Sequence, residues 1–114
     1  MFLDPTLIPG LSAAAAAAAK GAPFADLFLP RRSRASVARA RQLAVYLHHV
    51  ALGASVSACA KAFARDRATV RHACATIEDL RDDPLFDAGA RRLETALAAQ
   101  RDMICALLLE GSAR

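Results

Sequence analysis

Apolar positions fall into a helical rhythm only after the first third of the chain. Leu43, Tyr46, Leu47 and Val50 stand at i, i+3, i+4 and i+7, one face of a helix over about 36–51 that Gly53 stops. Val56, Cys59, Ala60 and Phe63 repeat that spacing behind Ser55, whose hydroxyl suits an N-cap. Asp66 can cap a third helix that turns Val70, Ala73, Cys74, Ile77 and Leu80 inward and ends near Arg81, because the residue before Pro84 disfavours helix. Asp83 caps a longer fourth helix with Pro84 at its first position. Its stripe is Phe86, Ala90, Leu93, Leu97, Ile104 and Leu108, with Gly111 as its stop.

Residues 1–30 lack this rhythm. Pro5, Pro9, Gly10, Gly21, Pro23 and Pro30 punctuate them around an unbroken run from Ala13 to Ala19. The run forms either two turns of helix ending at Gly21 or a flexible arm, since two turns alone are marginal in water. The expected organisation is an N-terminal arm (1–30) appended to a helical domain (31–110), then a short tail (111–114). Near its far end, Met103 to Leu109 is almost wholly apolar. It packs either against Leu27, Phe28 and Leu29 or against a second copy of the chain.

Composition narrows the class. The chain has 114 residues, no tryptophan and one tyrosine, and 29 of its residues are alanine. The apolar share of 55% therefore supports one small core and leaves no room for a cleft between domains. High alanine and few aromatics favour helix over sheet. The fold class expected is all-α, a small helical bundle with a longer C-terminal helix. Asp4 and the early prolines break the apolar N-terminus, so neither a signal peptide nor a membrane span is expected. Cys59, Cys74 and Cys105 are an odd set suited to reduced thiols, which points to a cytoplasmic protein.

The net charge of +4 conceals an uneven distribution. Residues 31–72 hold Arg31, Arg32, Arg34, Arg39, Arg41, Lys61, Arg65, Arg67 and Arg71 against Asp66 alone, while both flanks are slightly acidic. Arginine makes forked contacts to phosphates and guanine edges that lysine does not. Only Ala64, Arg65 and Asp66 separate the second and third apolar patterns, the spacing of a helix-turn-helix. On the third helix Arg67, Ala68, Arg71 and Ala75 lie opposite the buried stripe. Two forked donors beside two small residues would let the backbone approach a major groove.

The strings RRSRASVARARQLAVYL (31–47), SVSACAKAF (55–63) and RDRATVRHAC (65–74) occur in the order in which the C-terminal DNA-binding domain of the bacterial replication initiator DnaA has its counterparts. The stretch from Arg31 to about Leu97 resembles that domain. The resemblance implies that a basic-loop arginine, Arg32 or Arg34, enters the minor groove. It matches Asp66, Arg67 and Ala68 to the family's base-reading Asp-His-Thr, and Arg71 extends that face by position. Arg31, Arg41, Ser55, Ser57, Arg65 and Thr69 are the expected phosphate contacts.

Three departures stand out. The basic loop is one residue longer than the family's. Ala64 alone stands where the family turns on a Gly-Gly pair. Arg67 and Ala68 replace histidine and threonine, which shifts the expected preference toward a guanine edge and a thymine methyl. No Gly-x-x-x-x-Gly-Lys-Ser/Thr occurs, so no ATP hydrolysis is expected, nor any other enzyme activity, cofactor or small-molecule substrate. A metal site is not expected either. His48 and His49 point apart on a helix, and His72 and Cys74 are two residues apart. His72 is expected to be a structural residue hydrogen-bonded near a helix interface.

The expectation is a stand-alone, sequence-specific binder of double-stranded DNA at initiator-type sites, regulating replication initiation or transcription. It can form a homodimer through the C-terminal helix. The alternative is a helical protein-interaction adaptor that keeps the fold without specific DNA binding.

Overall fold

The computed structural model describes residues 9–29 and 35–112. The described chain is helical: α1 (Gly10–Lys20), a 3₁₀ turn (Phe24–Phe28), α2 (Ala35–Val50), α3 (Val56–Phe63), α4 (Arg67–Leu80) and α5 (Pro84–Ser112), with no strand among the described residues. It is the small all-α bundle with a long last helix that the periodicity implied.

The alanine run forms α1. It ends at Gly21, whose left-handed φ of 64° lets the Ala22 N–H return to Ala17 O at 3.0 Å. The helix is not an appendage. Ala13, Ala16 and Ala17 are buried, and α1 packs along α2, where Ala40 and Ala44 are also fully buried. Methyl side chains on both sides let two helix axes approach closely. Ser12 Oγ hydrogen-bonds with His48 Nδ1 at 2.9 Å, so a buried polar pair fixes the register.

Helix α2 is the centre of the bundle. Residues 43–48 are all buried, because α1, α3, α4, α5 and the 3₁₀ turn surround it. The expected single stripe is therefore too narrow on its flanks and too long at its end, where Val50 is exposed. Below α2, Phe28 stacks on Phe63 with centroids 5.8 Å apart, and His48 meets Phe63 edge-on.

A polar knot ties three helices together. The Tyr46 hydroxyl donates to Glu78 Oε1 at 2.7 Å, and Arg81 donates to that hydroxyl, to Asp87 and to Glu94. Burial disfavours the Arg81 charge, but hydrogen bonds to Asp87, Tyr46 and Glu94 outweigh it and raise its pKa. Burial and the Glu78 bond push Tyr46 up to about 12.

Helix α5 buries Ala90 and Leu97, and Arg101 donates to Ala51 O at 3.1 Å. Past that point Met103, Leu107 and Leu109 are exposed while Ile104 and Leu108 stay half-buried. The 3₁₀ turn packs on α1 and α2, with Leu27 in the core and Phe28 on Phe63, so it is not the surface that the expected packing of residues 103–109 on residues 27–29 would need. The helix also runs through Gly111 to Ser112 instead of stopping there. Among the described residues no helix is long and apolar enough to cross a membrane.

Candidate nucleic-acid interface

The two helices of the turn motif begin on side-chain caps. Ser55 Oγ accepts the Ala58 N–H at 3.0 Å to open α3, and Asp66 Oδ1 accepts the Thr69 N–H at 2.7 Å to open α4. Hydrogen bonds from the Thr69 backbone and hydroxyl hold the Asp66 carboxyl below its ordinary range, so it is a carboxylate at neutral pH. Between the helices Ala64 takes φ 54° and ψ 47°, the left-handed cap usually given to glycine. Its position lets the Arg65 N–H close onto Ala60 O at 2.9 Å. The helix-turn-helix therefore forms without the Gly-Gly pair, and it pays in backbone strain at one alanine.

Val70, Ala73 and Ile77 face inward from α4, and Asp66, Arg67, Ala68, Thr69 and Arg71 are all exposed. Arg67 and Arg71 lie one turn apart with Ala68 between them, beside the positive end of the helix dipole. The far end of α4 is acidic, with Glu78, Asp79, Asp82 and Asp83 exposed. That polarity favours a polyanion at the first turns and repels it from the last. Ser55 and Ser57 are exposed at the start of α3. Arg31, Arg32 and Arg34 lie outside the described residues.

Arg41 and Arg65 are half-buried and already engaged. Arg41 donates to Leu27 O at 2.7 Å and to Asp26 O at 3.2 Å, and Arg65 donates to Leu29 O at 2.6 Å. Burial, then the neighbouring Arg65 charge, lowers the Arg41 pKa. The expectation for His72 is corrected. It is exposed beside Thr69, because three residues along a helix return to nearly the same side. With Arg41, Gln42, Arg65 and Thr69 it lines a cleft of about 120 Å³ between α2 and α4. Counting on from Thr69 by helical period was the signal that would have placed it there.

His48 and His49 do part company: His48 meets Ser12, and His49 Nδ1 donates to Ala54 O at 2.6 Å. Among the described residues no group of three or more His, Cys, Asp or Glu is placed to hold a metal ion.

A protein-family model, the bacterial DnaA protein helix-turn-helix, matches residues 14–77. The chain belongs to that family. The match begins inside α1, so the DnaA-type region takes in the alanine helix as well as α2, α3 and nearly all of α4. Helix α5 lies beyond it. No curated protein and no solved structure gives a significant match to the chain.

Proposed function

We propose that this DnaA-family chain binds double-stranded DNA with sequence preference, placing α4 in the major groove. The observation that carries the reading is the exposed set of Asp66 at the cap and Arg67, Ala68 and Arg71 on the first turns of α4, outside its buried Val70, Ala73 and Ile77. Arg67 reads a guanine edge, Ala68 contacts a thymine methyl, and the Asp66 carboxylate accepts from cytosine N4 while capping the helix. Ser55, Ser57 and Thr69 meet phosphates, and Arg31, Arg32 and Arg34 supply the basic stretch that reaches the minor groove. By occupying initiator-type sites in the nucleoid, the protein regulates replication initiation or transcription. The exposed Met103, Leu107 and Leu109 near the end of α5 support pairing of two copies, which would present two reading helices.

The test is binding to an initiator-type duplex and to a random duplex across a salt series. Steep salt dependence with preference for one sequence is expected. Arg67→Ala should weaken the preferred site by roughly 1–3 kcal/mol and flatten the preference at one base position. If affinity falls equally on every duplex, the major-groove assignment is wrong. No binding at low salt leaves the adaptor reading in its place.

A further inference from the structure

A cavity of about 310 Å³ opens between the end of α1, the middle of α2 and the first turns of α5. It lies away from the reading face. On α2 the cavity takes Leu43, whereas the cleft against α4 takes Ala38, Arg41 and Val45, and at about 100° per residue Leu43 points to the opposite side of the helix. Most of its wall is α5, beyond the DnaA-type region. Leu43, Phe86, Ala90 and Leu93 give it an apolar lining, and Leu85, 84% exposed, adds apolar surface open to solvent.

The charged residues that line it are Lys20 and Arg92, both cations. Lys20 Nζ lies 4.9 Å from the centre of the Phe86 ring, which holds the ammonium against the apolar wall. Among the described residues neither cation has an ion-pair partner, whereas Arg81, Arg91 and Arg101 each have one. An apolar cavity edged by a few polar groups is the ordinary form of a small-molecule site. Here the polar groups call for an anion.

Gly89 stands at the centre of the α5 wall, with Leu85, Phe86, Arg92 and Leu93 at i−4, i−3, i+3 and i+4 from it. Glycine inside a helix is destabilising relative to alanine. Neither a positive φ nor a close neighbour requires it here, since a Cβ would meet nothing within 4 Å. Its missing side chain leaves room in the cavity and a bare strip of backbone on which a flat ring can lie. We propose that the cavity binds a compact organic acid, an aromatic body carrying one carboxylate, with Lys20 and Arg92 meeting the carboxylate. A single concavity of this volume fits such a molecule; a docked helix would need a groove two turns long for its i, i+3, i+4 and i+7 anchors. The site is independent of the DNA-binding reading, and failure of either leaves the other intact.

Naphthoate is the probe, and its neutral amide, naphthamide, is the control. Each is titrated into the full chain and followed by amide and methyl NMR shifts. Naphthoate should give saturable shifts centred on Leu43, Phe86, Gly89 and Leu93, with a Kd at or below about 1 mM. Naphthamide should bind about tenfold more weakly. Lys20→Gln and Arg92→Gln should each weaken naphthoate about two- to fivefold and leave naphthamide unchanged. Gly89→Leu separates a site from a packing flaw: it should raise Tm by about 2–6 °C in the free protein and abolish naphthoate binding. No saturable shift from naphthoate overturns the proposal, as does equal affinity for naphthamide. Shifts confined to the exposed Met103, Leu107 and Leu109 would mean unspecific apolar contact and overturn it too, and so would naphthoate binding that survives Gly89→Leu. If Gly89→Leu fails to fold, the two glutamine variants decide.

Discussion

The turn at Ala64 is the sharpest place to test this account of the fold, because a small change should improve on the native residue. Ala64 is exposed, has φ 54° and ψ 47°, and closes α3 by letting the chain turn back toward α4. An L-residue with a Cβ in this conformation costs roughly 1–2 kcal/mol relative to glycine. Glycine gives back about 0.5–1 kcal/mol through the greater freedom of its unfolded chain. An exposed methyl adds little burial to either side of the balance. Ala64→Gly should therefore stabilise the protein by about 0.5–1 kcal/mol, or about 2–6 °C in Tm for a domain of this size. Urea unfolding followed by circular dichroism is the suitable assay, since the chain has no tryptophan. The m-value should not move. Ala75→Gly is the control: the same atoms are removed from an exposed position inside α4, where glycine costs about 1 kcal/mol. Opposite signs for the two variants are the signature of backbone strain. If both destabilise, Ala64 is not strained and the description of the turn is wrong.

Three other measurements follow from the packing and the titrating groups. Ala16→Leu should cost about 1–3 kcal/mol by prising α1 from α2, while Ala14→Leu on the exposed side of α1 stays within about 0.5 kcal/mol; equal effects would return α1 to the status of a loose arm. Cys59 is fully buried, and burial pushes its thiol up to about 11, so alkylation near pH 8 should spare it in the native protein and label it in urea, as mass spectrometry would register. The Asp66 carboxyl has a folded pKa below its unfolded value, so the unfolded state binds the proton more readily and stability rises with pH through that range. Its contribution is complete above about pH 4 and is lost as pH falls through the folded value; Asp66→Asn should remove that slope, and parallel curves for the two proteins below about pH 5 would refute the cap.

Helices α2 to α4 were legible in the sequence because their signals are local. Ser55 and Asp66 stand where caps belong, and stripes such as Val70, Ala73 and Ile77 repeat every turn. The outward face of α4 was legible for the same reason, as the complement of that stripe. The packing of α1 was not, because a run of identical alanines carries no contrast between faces, so nothing in it marks Ala13 and Ala16 as inside and Ala14 as outside. The buried circumference of α2 was hidden too: it depends on neighbours arriving from distant parts of the chain, and a single stripe cannot register five of them. The grip of Arg41 and Arg65 on backbone carbonyls has no spacing to betray it, since any carbonyl can accept from any arginine that reaches it. The charge run read as a row of contacts, and two of its members turned out to face the protein.

The knot around Arg81 bears on how α4 would meet a partner. It grips the last turn of α4 to both α2 and α5, and toward the other end Val70, one turn in from the Asp66 cap, is fully buried with Ala73 and Ile77 behind it. The helix is thus held at both ends of its 14 residues, about 21 Å of rise. Its exposed face is carried as one piece with the bundle, so a curved partner would have to bend to it.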